Sequence, residues 1–541
     1  MAILMHTTKR KILIPEKVSP DGLALLKDQF DVDEKKGLTP EELKKIIGEY
    51  DALIVRSETK VTAELLGAAK KMKVVARAGV GVDNVDVQSA TSHGIIVVNS
   101  PSGNINAAAE HTIARGLSEP RMRLIAYDPY ANPNLAAAAS VTLRPSLAEI
   151  LKEADFLTLH TPLIASTKGM ISKAELETMK PTARILNVAR GGMIDEDALV
   201  EALDAGVIAG AGIDVFTSEP PEQNSSATRL IAHPKVVATP HLGASTKEAQ
   251  ENVSIDVCEQ VVSILSGELP RSAVNAPIVL PDEYRTLQPF ISLVEKMGSL
   301  YTQHYSSAKT GSFRTTFDLI YEGKLATINT TKPLFAALVK GLLTPITSSD
   351  GLNINIVNAE LLAKERGILI NEQRSRENVE DKPYSSFITL RARASRSVSQ
   401  QPRSRNVSPS AARALQQGTA DNDDQIIQGF VSGNKPFISR LDKFKGEFVP
   451  RGTLLICRNF DSVGRIGYVG NLLGKAGVNI KFMNVAPLDE EVEERMNEKN
   501  GEGEGSKEAL MILGVDKPVG EDVLKRLIGD EGVLEASVVN F

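Results

Sequence analysis

The stretch RILNVARGGMIDEDALVEALDAGVIAGAGIDVF, residues 184–216, holds a complete strand–helix–strand unit. Arg184–Asn187 is a short apolar run without period-two alternation. Asp195–Ala205 opens on acidic residues and then carries apolar residues at helical spacing, and Ile208–Ile213 is again a short apolar run. A strand with no polar face must be covered on both sides, which is the condition of a parallel sheet, and an intervening helix supplies the crossover. The same alternation extends outward. Strands are expected at Lys11–Pro15, Ala52–Val55, Val74–Ala76, Ile95–Val98, Leu124–Tyr127, Phe156–Leu159 and Val236–Ala238, with helices between them such as Pro40–Tyr50. The fold class is therefore α/β with parallel sheets.

The chain has 541 residues, enough for three or four domains at roughly 150 residues each. Apolar residues at 42% and charged residues at 24% suit a soluble globular protein. A net charge of −6 argues against nucleic acid as the main partner. No run approaches the ~18 consecutive apolar residues of a membrane span. The N-terminus, Met1 to Lys11, lacks the charged-then-apolar order of a secretory signal, so a cytoplasmic location is expected. Two cysteines, Cys258 and Cys457, lie 199 positions apart, which excludes a disulfide framework and a Cys-rich zinc site. Seven histidines show no H-E-x-x-H spacing, so no metal is expected.

Residues 286–450 change character, mixing longer amphipathic segments with Thr-rich stretches, and read as an α+β domain. Within them Ala394–Arg413 is a Ser/Arg/Gln/Pro-rich tract that cannot bury enough surface to order itself, and a disordered loop is expected over 394–425. Beyond residue 450 come strand Thr453–Arg458, helix Gly464–Lys475, strand Val478–Ala486, strand Ala509–Val515, helix Glu521–Ile528 and strand Val533–Val539. That βαββαβ order is the ferredoxin-like pattern, here interrupted by an acidic, glycine-rich insertion at Glu490–Gly505.

Polar residues cluster most densely from Arg190 to His241. Ligands of open α/β sheets bind beyond the carboxyl ends of the strands. Arg190 directly follows Arg184–Asn187, where its fork could pair with a carboxylate, or else form a surface salt bridge. Asp214 follows Ile208–Ile213, Glu219 precedes Pro220-Pro221, and His241 follows Val236–Ala238 and Pro240. A carboxylate beside an imidazole fixes its tautomer and stabilises its protonated form, which suits proton transfer near neutral pH. Arginine for a carboxylate and histidine for a hydroxyl proton is what oxidation of a 2-hydroxy acid requires. Asp128 closes the strand Leu124–Tyr127. It could hold the ribose hydroxyls of NAD, or initiate an Asp-Pro turn.

Five segments together carry a resemblance: Val55-Arg56-Ser57, Arg77-Ala78-Gly79-Val80-Gly81-Val82-Asp83-Asn84, Asn187-Val188-Ala189-Arg190-Gly191-Gly192, Asp214-Val215-Phe216 and Pro240-His241-Leu242-Gly243-Ala244-Ser245-Thr246. They resemble the D-isomer-specific 2-hydroxy acid dehydrogenases, and the match covers most of the chain. The tail is similar to an ACT regulatory domain, and the long middle region with its insertions resembles the fungal form. The resemblance implies two Rossmann-like domains. One is a substrate domain of residues 1–108 with 243–285, and the other an NAD domain of 109–242. An intervening domain at 286–450 and an ACT domain at 451–541 would follow. It implies NAD-dependent oxidation of 3-phosphoglycerate to 3-phosphohydroxypyruvate, the entry to L-serine synthesis, by a homo-oligomer. Arg190 would bind the substrate carboxylate and hydroxyl oxygen, His241 would take the hydroxyl proton, and Glu219 would hold His241. Arg56, Ser57, Arg77 and Asn104 would hold the substrate with its phosphate. Val80, Asp128, Thr161, Val188, Ala189, Asp214, Gly243 and Ala244 would line NAD. Asn459, Asp461 and Asn479 would bind L-serine.

One part of the pattern is missing. A dinucleotide unit needs G-x-G-x-x-G about 20 residues before its ribose acid. Counting back from Asp128 lands in NAAAEHTIARGL, residues 106–117, and the chain contains no G-x-G-x-x-G anywhere. The pairs Gly79/Gly81, Gly210/Gly212, Gly501/Gly503 and Gly503/Gly505 all lack the third glycine. Roughly fifty residues are expected to be missing before Asp128, with the strand–turn–helix part of a ~30-residue βαβ unit at their centre. That strand would be the first of the order 3-2-1-4-5-6. The nucleotide domain is thus expected to be truncated. The chain would be an active dehydrogenase recorded with an incorrect gene structure, or a non-catalytic serine-binding or regulatory isoform impaired in NAD binding.

Overall fold

A computed structural model describes residues 9–116, 122–307, 314–347, 353–375, 386–393, 425–489, 508–529 and 533–541. The chain divides into two compact units, Met1–Val87 with Val97–Val274, and Gln88–Ile96 with Asn275–Phe541.

In the first unit, β1 (Lys11–Ile14), β2 (Asp31–Glu34), β3 (Ala52–Val55), β4 (Val74–Arg77) and β5 (Ile96–Asn99) form one sheet in the order β2-β1-β3-β4-β5. β3 is buried along its whole length, as its unbroken Ala-Leu-Ile-Val run requires. β2, with the sequence Asp-Val-Asp-Glu, was not expected; it is an edge strand whose Asp31 and Glu34 are exposed, while the half-buried Asp33 accepts from the Tyr50 hydroxyl at 2.6 Å. Thr39 and Glu42 form a reciprocal capping box that starts the helix Pro40–Ile46. The expected helix to Tyr50 instead tightens into a 3₁₀ turn at Ile47–Glu49.

Among the described residues, β6 (Leu124–Ala126) and β7 (Val141–Leu143) pair in parallel with each other alone, as a separate two-stranded sheet. No residue of either strand is buried, nor any of the helix Pro133–Ala138 between them. Both ends are tied to Glu153, which accepts from Arg123 Nη2 at 2.6 Å and from Arg144 Nε and Nη2 at 2.9 and 2.8 Å. The quoted stretch lies in the next sheet. β8 (Phe156–Leu159), β9 (Arg184–Asn187), β10 (Gly210–Ile213) and β11 (Val236–Ala238) are parallel, in the order β11-β10-β9-β8. Between β9 and β10, Asp195 caps the helix Glu196–Asp204, whose Leu199 and Leu203 pack with Ile185 and Ile208 in the core. Among the described residues no strand joins β6 to the open edge of β8.

The second unit is built on the helices Pro281–Ser307 and Lys332–Leu343. They cross so closely that a Cβ on Gly341 would collide with the Glu295 carbonyl oxygen. They cover a sheet of β12 (Thr316–Gly323), β13 (Leu369–Arg374), β14 (Ser386–Ala392), β15 (Gln425–Ser432), β16 (Lys435–Leu441) and β17 (Phe444–Phe448), in the order β13-β12-β14-β15-β16-β17. The sheet is mixed: β12 and β13 are parallel and the other pairs antiparallel. Gln425, expected to end a disordered loop, is instead the first residue of β15; the rest of that loop and the Glu490–Gly505 insertion lie outside the described residues.

β18 (Thr453–Phe460), β19 (Ile480–Ala486), β20 (Glu508–Val515) and β21 (Val533–Asn540) make an antiparallel sheet in the order β19-β20-β18-β21. One face, with Leu454, Ile456, Leu510 and Ile512, joins the core of the long helices. The other, with Leu455, Cys457 and Leu513, packs on the helices Arg465–Lys475 and Glu521–Gly529.

The half-buried Ile125 of β6 packs against the core of the larger sheet, but no residue of β6 or β7 is buried, and a two-stranded sheet so thinly covered is marginal in water. Amides of Leu124–Leu143 should therefore exchange with solvent deuterium at least ~100-fold faster than those of Ile185–Asn187. Equal protection of the two segments would show that β6 and β7 share the core of the larger sheet.

Candidate active site

β9, β10 and β11 run parallel, so the segments following them emerge at one end of the sheet. After β11 the chain turns sharply, and His241 takes the left-handed conformation with φ 53°. That conformation costs on the order of 1 kcal/mol in a residue with a Cβ. The turn is held from below by Asp214, which is buried at 2% exposure. Its Oδ1 accepts from the Thr239 hydroxyl at 2.6 Å and the Leu242 N–H at 2.8 Å, and its Oδ2 from the Gly243 N–H at 2.9 Å. The His241 N–H donates to the Asp214 carbonyl oxygen at 2.9 Å.

His241 Nδ1 lies 2.8 Å from Glu219 Oε2, and Glu219 Oε1 accepts from the Phe216 N–H at 2.9 Å. An ionised carboxylate only accepts, so Nδ1 carries the proton and Nε2 is the ring nitrogen left to face a ligand. Burial pushes the Glu219 carboxyl up, but the hydrogen bonds from His241 and Phe216 outweigh it and hold the group below the ordinary glutamate value. Both side chains remain partly open to solvent.

After β9, the Asn187 side chain donates to the Arg190 carbonyl oxygen at 2.8 Å and accepts from the Ala189 N–H at 3.1 Å, which fixes the turn carrying Val188, Ala189 and Arg190. Arg190 Nε donates to Asp83 Oδ2 at 2.9 Å, and Nη1 to the Ala189 carbonyl oxygen at 2.7 Å. Its guanidinium lies over Gly81, where a Cβ would collide with Nη2. A Cβ on Gly79 would likewise collide with Arg77 Nη1. The Gly79-Val80-Gly81 pair of glycines thus seats two guanidinium groups. Burial lowers the Arg77 pKa, and the positive charges of Arg190 and Arg56 add to the effect against Asp83 and Glu16. Arg77 Nε is buried without a hydrogen-bond partner. This grouping of cations suits an anionic ligand.

Arg56 and Ser57 lie on a loop held from both sides. The buried Glu16 accepts from the N–H groups of Arg56, Glu58 and Thr59 at 3.0, 3.2 and 2.9 Å. The Asn84 amide donates to the carbonyl oxygens of Arg56 and Thr59 at 2.8 and 2.7 Å. Asn104 is half-buried at the start of the helix Ile105–Gly116, which it caps through its carbonyl oxygen. Val188 packs against Gly243, and Ala244 follows half-buried. Val80 and Thr161 are exposed, Thr161 donating to Met193 Sδ at 3.6 Å. Asp128, exposed after β6, accepts from the Tyr130 N–H at 2.8 Å and so caps its own turn. In the second unit, Asn459 is buried with Oδ1 unpartnered, Asp461 is exposed, and the Asn479 N–H donates to Asp516 at 2.9 Å.

Residues 107–243 match the NAD binding domain of the D-isomer specific 2-hydroxyacid dehydrogenases, and residues 286–402 match the D-3-phosphoglycerate dehydrogenase intervening domain. The chain is 38% identical to D-3-phosphoglycerate dehydrogenase 2, chloroplastic, of Arabidopsis thaliana over 579 aligned positions, covering 97% of this chain and 86% of that one. It is 33% identical to D-3-phosphoglycerate dehydrogenase of Archaeoglobus fulgidus over 581 positions, covering 98% of this chain and all of the relative.

The chain belongs to the D-3-phosphoglycerate dehydrogenase family.

In the first alignment, 97% of this chain's 541 residues is about 525, so roughly fifty of the 579 positions carry no residue of this dehydrogenase. Four side chains now join the dehydrogenase site that sequence reading passed over: Glu16, Asp83, Asn84 and His111. Asp83 and Asn84 lay inside a quoted motif, next to the residues singled out in it. Glu16 carried no signal, because its partners are backbone groups about forty positions away. His111 Nε2 lies 3.3 Å from Asp214 Oδ1, but the geometry is not that of a hydrogen bond and the buried nitrogen has none.

A carboxyl held below its unfolded value contributes stability above that value and loses it as pH falls through the folded one. Wild type should melt above Glu219→Gln near neutral pH, and the gap should close in acid, as pH falls past the ordinary glutamate value of ~4.3 and through the lowered folded-state one. A gap that persists in acid would show that the Glu219 charge does not hold the turn. Thermal melts across pH 3 to 8 measure it.

Proposed function

We propose that the chain oxidises 3-phosphoglycerate to 3-phosphohydroxypyruvate with NAD, the first step of L-serine biosynthesis, and that its shortened nucleotide half weakens NAD binding. The observation that carries the reading is the His241–Glu219 pair, emerging at the same end of the sheet as Arg190. Arg190 takes the substrate carboxylate and hydroxyl oxygen, while Arg56, Ser57, Arg77 and Asn104 hold the phosphate end. His241 Nε2 removes the hydroxyl proton, and the Glu219 carboxylate stabilises the imidazolium that forms. NAD, when bound, would supply a hydride acceptor for the carbon that carries this hydroxyl. Val80, Thr161, Val188, Ala189, Asp214, Gly243 and Ala244 would hold NAD, Asp214 through the turn it caps, with Asp128 at a ribose.

The pyrophosphate side fits less well. It calls for a glycine turn between a strand and a helix N-terminus. The chain has no G-x-G-x-x-G, and among the described residues no strand pairs β6–β7 with β8. The domain division follows: 1–108 with 243–285 for substrate, 109–242 for the truncated nucleotide half, 286–450 intervening and 451–541 as a ferredoxin-like ACT domain. Asn459, Asp461 and Asn479 there would take L-serine, and the family's homo-oligomer and a cytoplasmic location are part of the proposal. The β6–β7 pair, which forms a sheet of its own, favours a second reading, a serine-responsive regulatory isoform that does not turn over.

Fluorescence titration with NADH should show no saturation below ~1 mM for the chain as it stands, weaker than about −4 kcal/mol of binding. Inserting a strand–glycine turn–helix segment between Ala114 and Met122, taken from the plant relative, should restore saturation and 3-phosphoglycerate-dependent NADH formation. His241→Asn in that repaired chain should lower kcat by about 10³, the scale of a lost general base. Micromolar NADH binding without the insertion would overturn the weakened-NAD reading. L-serine binding with no turnover after repair would favour the regulatory isoform.

A further inference from the structure

We propose that Asp83 is a positioning residue for Arg190: it holds the Nε side of the guanidinium so that the Nη2 side faces the substrate carboxylate. The inference rests on the assignment of Arg190 as the carboxylate-binding arginine and deepens it.

Arginine has five N–H donors arranged as a rigid fork, and its usefulness depends on which edge is presented. In Arg190, Nε is taken by Asp83 at 2.9 Å and one Nη1 hydrogen by the Ala189 carbonyl oxygen at 2.7 Å. Nη2 rests over Gly81, and no hydrogen bond to Nη2 is made among the described residues. The same added Cβ that would strike Nη2 would come 2.7 Å from Asp83 Oδ2, so the bare Gly81 backbone makes room for both halves of the pair.

Asp83 is itself held in place. The next residue, Asn84, is pinned by its amide to the carbonyl oxygens of Arg56 and Thr59. That loop is in turn held by the buried Glu16 carboxylate through three backbone N–H groups. Hydrogen bonds thus run from Glu16 through the Arg56–Thr59 loop to Asn84, the peptide bond links Asn84 to Asp83, and Asp83 bonds Arg190. This path connects the loop assigned to the phosphate end of the substrate with the arginine assigned to the carboxylate end.

The pair has little to offer the fold. Asp83 is 59% exposed and Arg190 25% exposed, and an ion pair in such a place contributes little stability. Orientation is the role left to it. Arg77 and Arg56 keep the surroundings positive after Asp83 has offset one charge, so the site still attracts an anion.

Isothermal titration with 3-phosphoglycerate, and separately with D-glycerate, tests this without nucleotide. Asp83→Ala should weaken both ligands by about 10-fold, because the effect acts at the carboxylate they share. Asp83→Asn keeps an oxygen to accept from Nε and should bind within about 3-fold of wild type. Gly81→Ala, which displaces the guanidinium by its Cβ, should match Asp83→Ala while melting close to wild type. Asp83→Ala binding as tightly as wild type, or more tightly, would overturn the proposal and make Asp83 a competitor for Arg190. Arg190→Ala binding like wild type would instead overturn the carboxylate assignment of Arg190, and the proposal with it.

Discussion

The buried carboxylate of Asp214 is the fixed point of the site. Its two oxygens accept from Thr239, Leu242 and Gly243, and these three groups span the turn that forces His241 into a left-handed conformation. A carboxylate out of contact with water must be satisfied by hydrogen bonds. Once satisfied by this turn, it leaves the chain no other way to leave β11. The imidazole is thereby aimed at Glu219, whose other oxygen is anchored to the backbone at Phe216. The orientation of the proposed base thus follows from one desolvated group beneath it.

The same economy governs the cationic side of the site. Guanidinium groups are bulky, and two of them approach within range of each other's charge only because Gly79 and Gly81 present bare backbone. In a nucleotide-binding turn, glycines let the chain approach a pyrophosphate. Here a G-x-G pair does a comparable steric job for side chains of the chain itself. Glu16 and Asn84 complete the frame by holding the neighbouring loop through its backbone, so that loop's position does not depend on the ligand.

In the nucleotide half, no strand pairs β6–β7 with β8 among the described residues. β8 to β11 keep a full core with the helices around them. β6 and β7 retain their mutual pairing and an electrostatic tie through Glu153, yet bury no residue. Parallel strands are stable when helices cover both faces and neighbours satisfy both edges. The second unit is the opposite case. Its C-terminal sheet is covered on both faces, by the long helices on one side and its own two helices on the other.

Local pattern sufficed for much of this. The runs of β3, β8, β9 and β11 were legible with their boundaries, most plainly β3, which is apolar and buried throughout and has no polar residue to blur its ends. β2 and β7 escaped notice for the converse reason: short and exposed, they are strands only because a neighbour pairs with them. The motifs also named Arg190, Glu219 and His241, since residue type and position after a strand are properties of the chain alone. They did not reveal that Asp214 caps the His241 turn, that Asp83 holds Arg190, or that Glu16 holds the loop of Arg56. Those contacts join residues far apart in the chain through backbone groups and small-residue clearances that no spacing encodes. The sequence by itself determined the parallel α/β class, the chemical groups of the site and the lack of a glycine-rich nucleotide turn. Only the tertiary structure decided which of those groups meet, because hydrogen-bond partnership depends on distances set by packing.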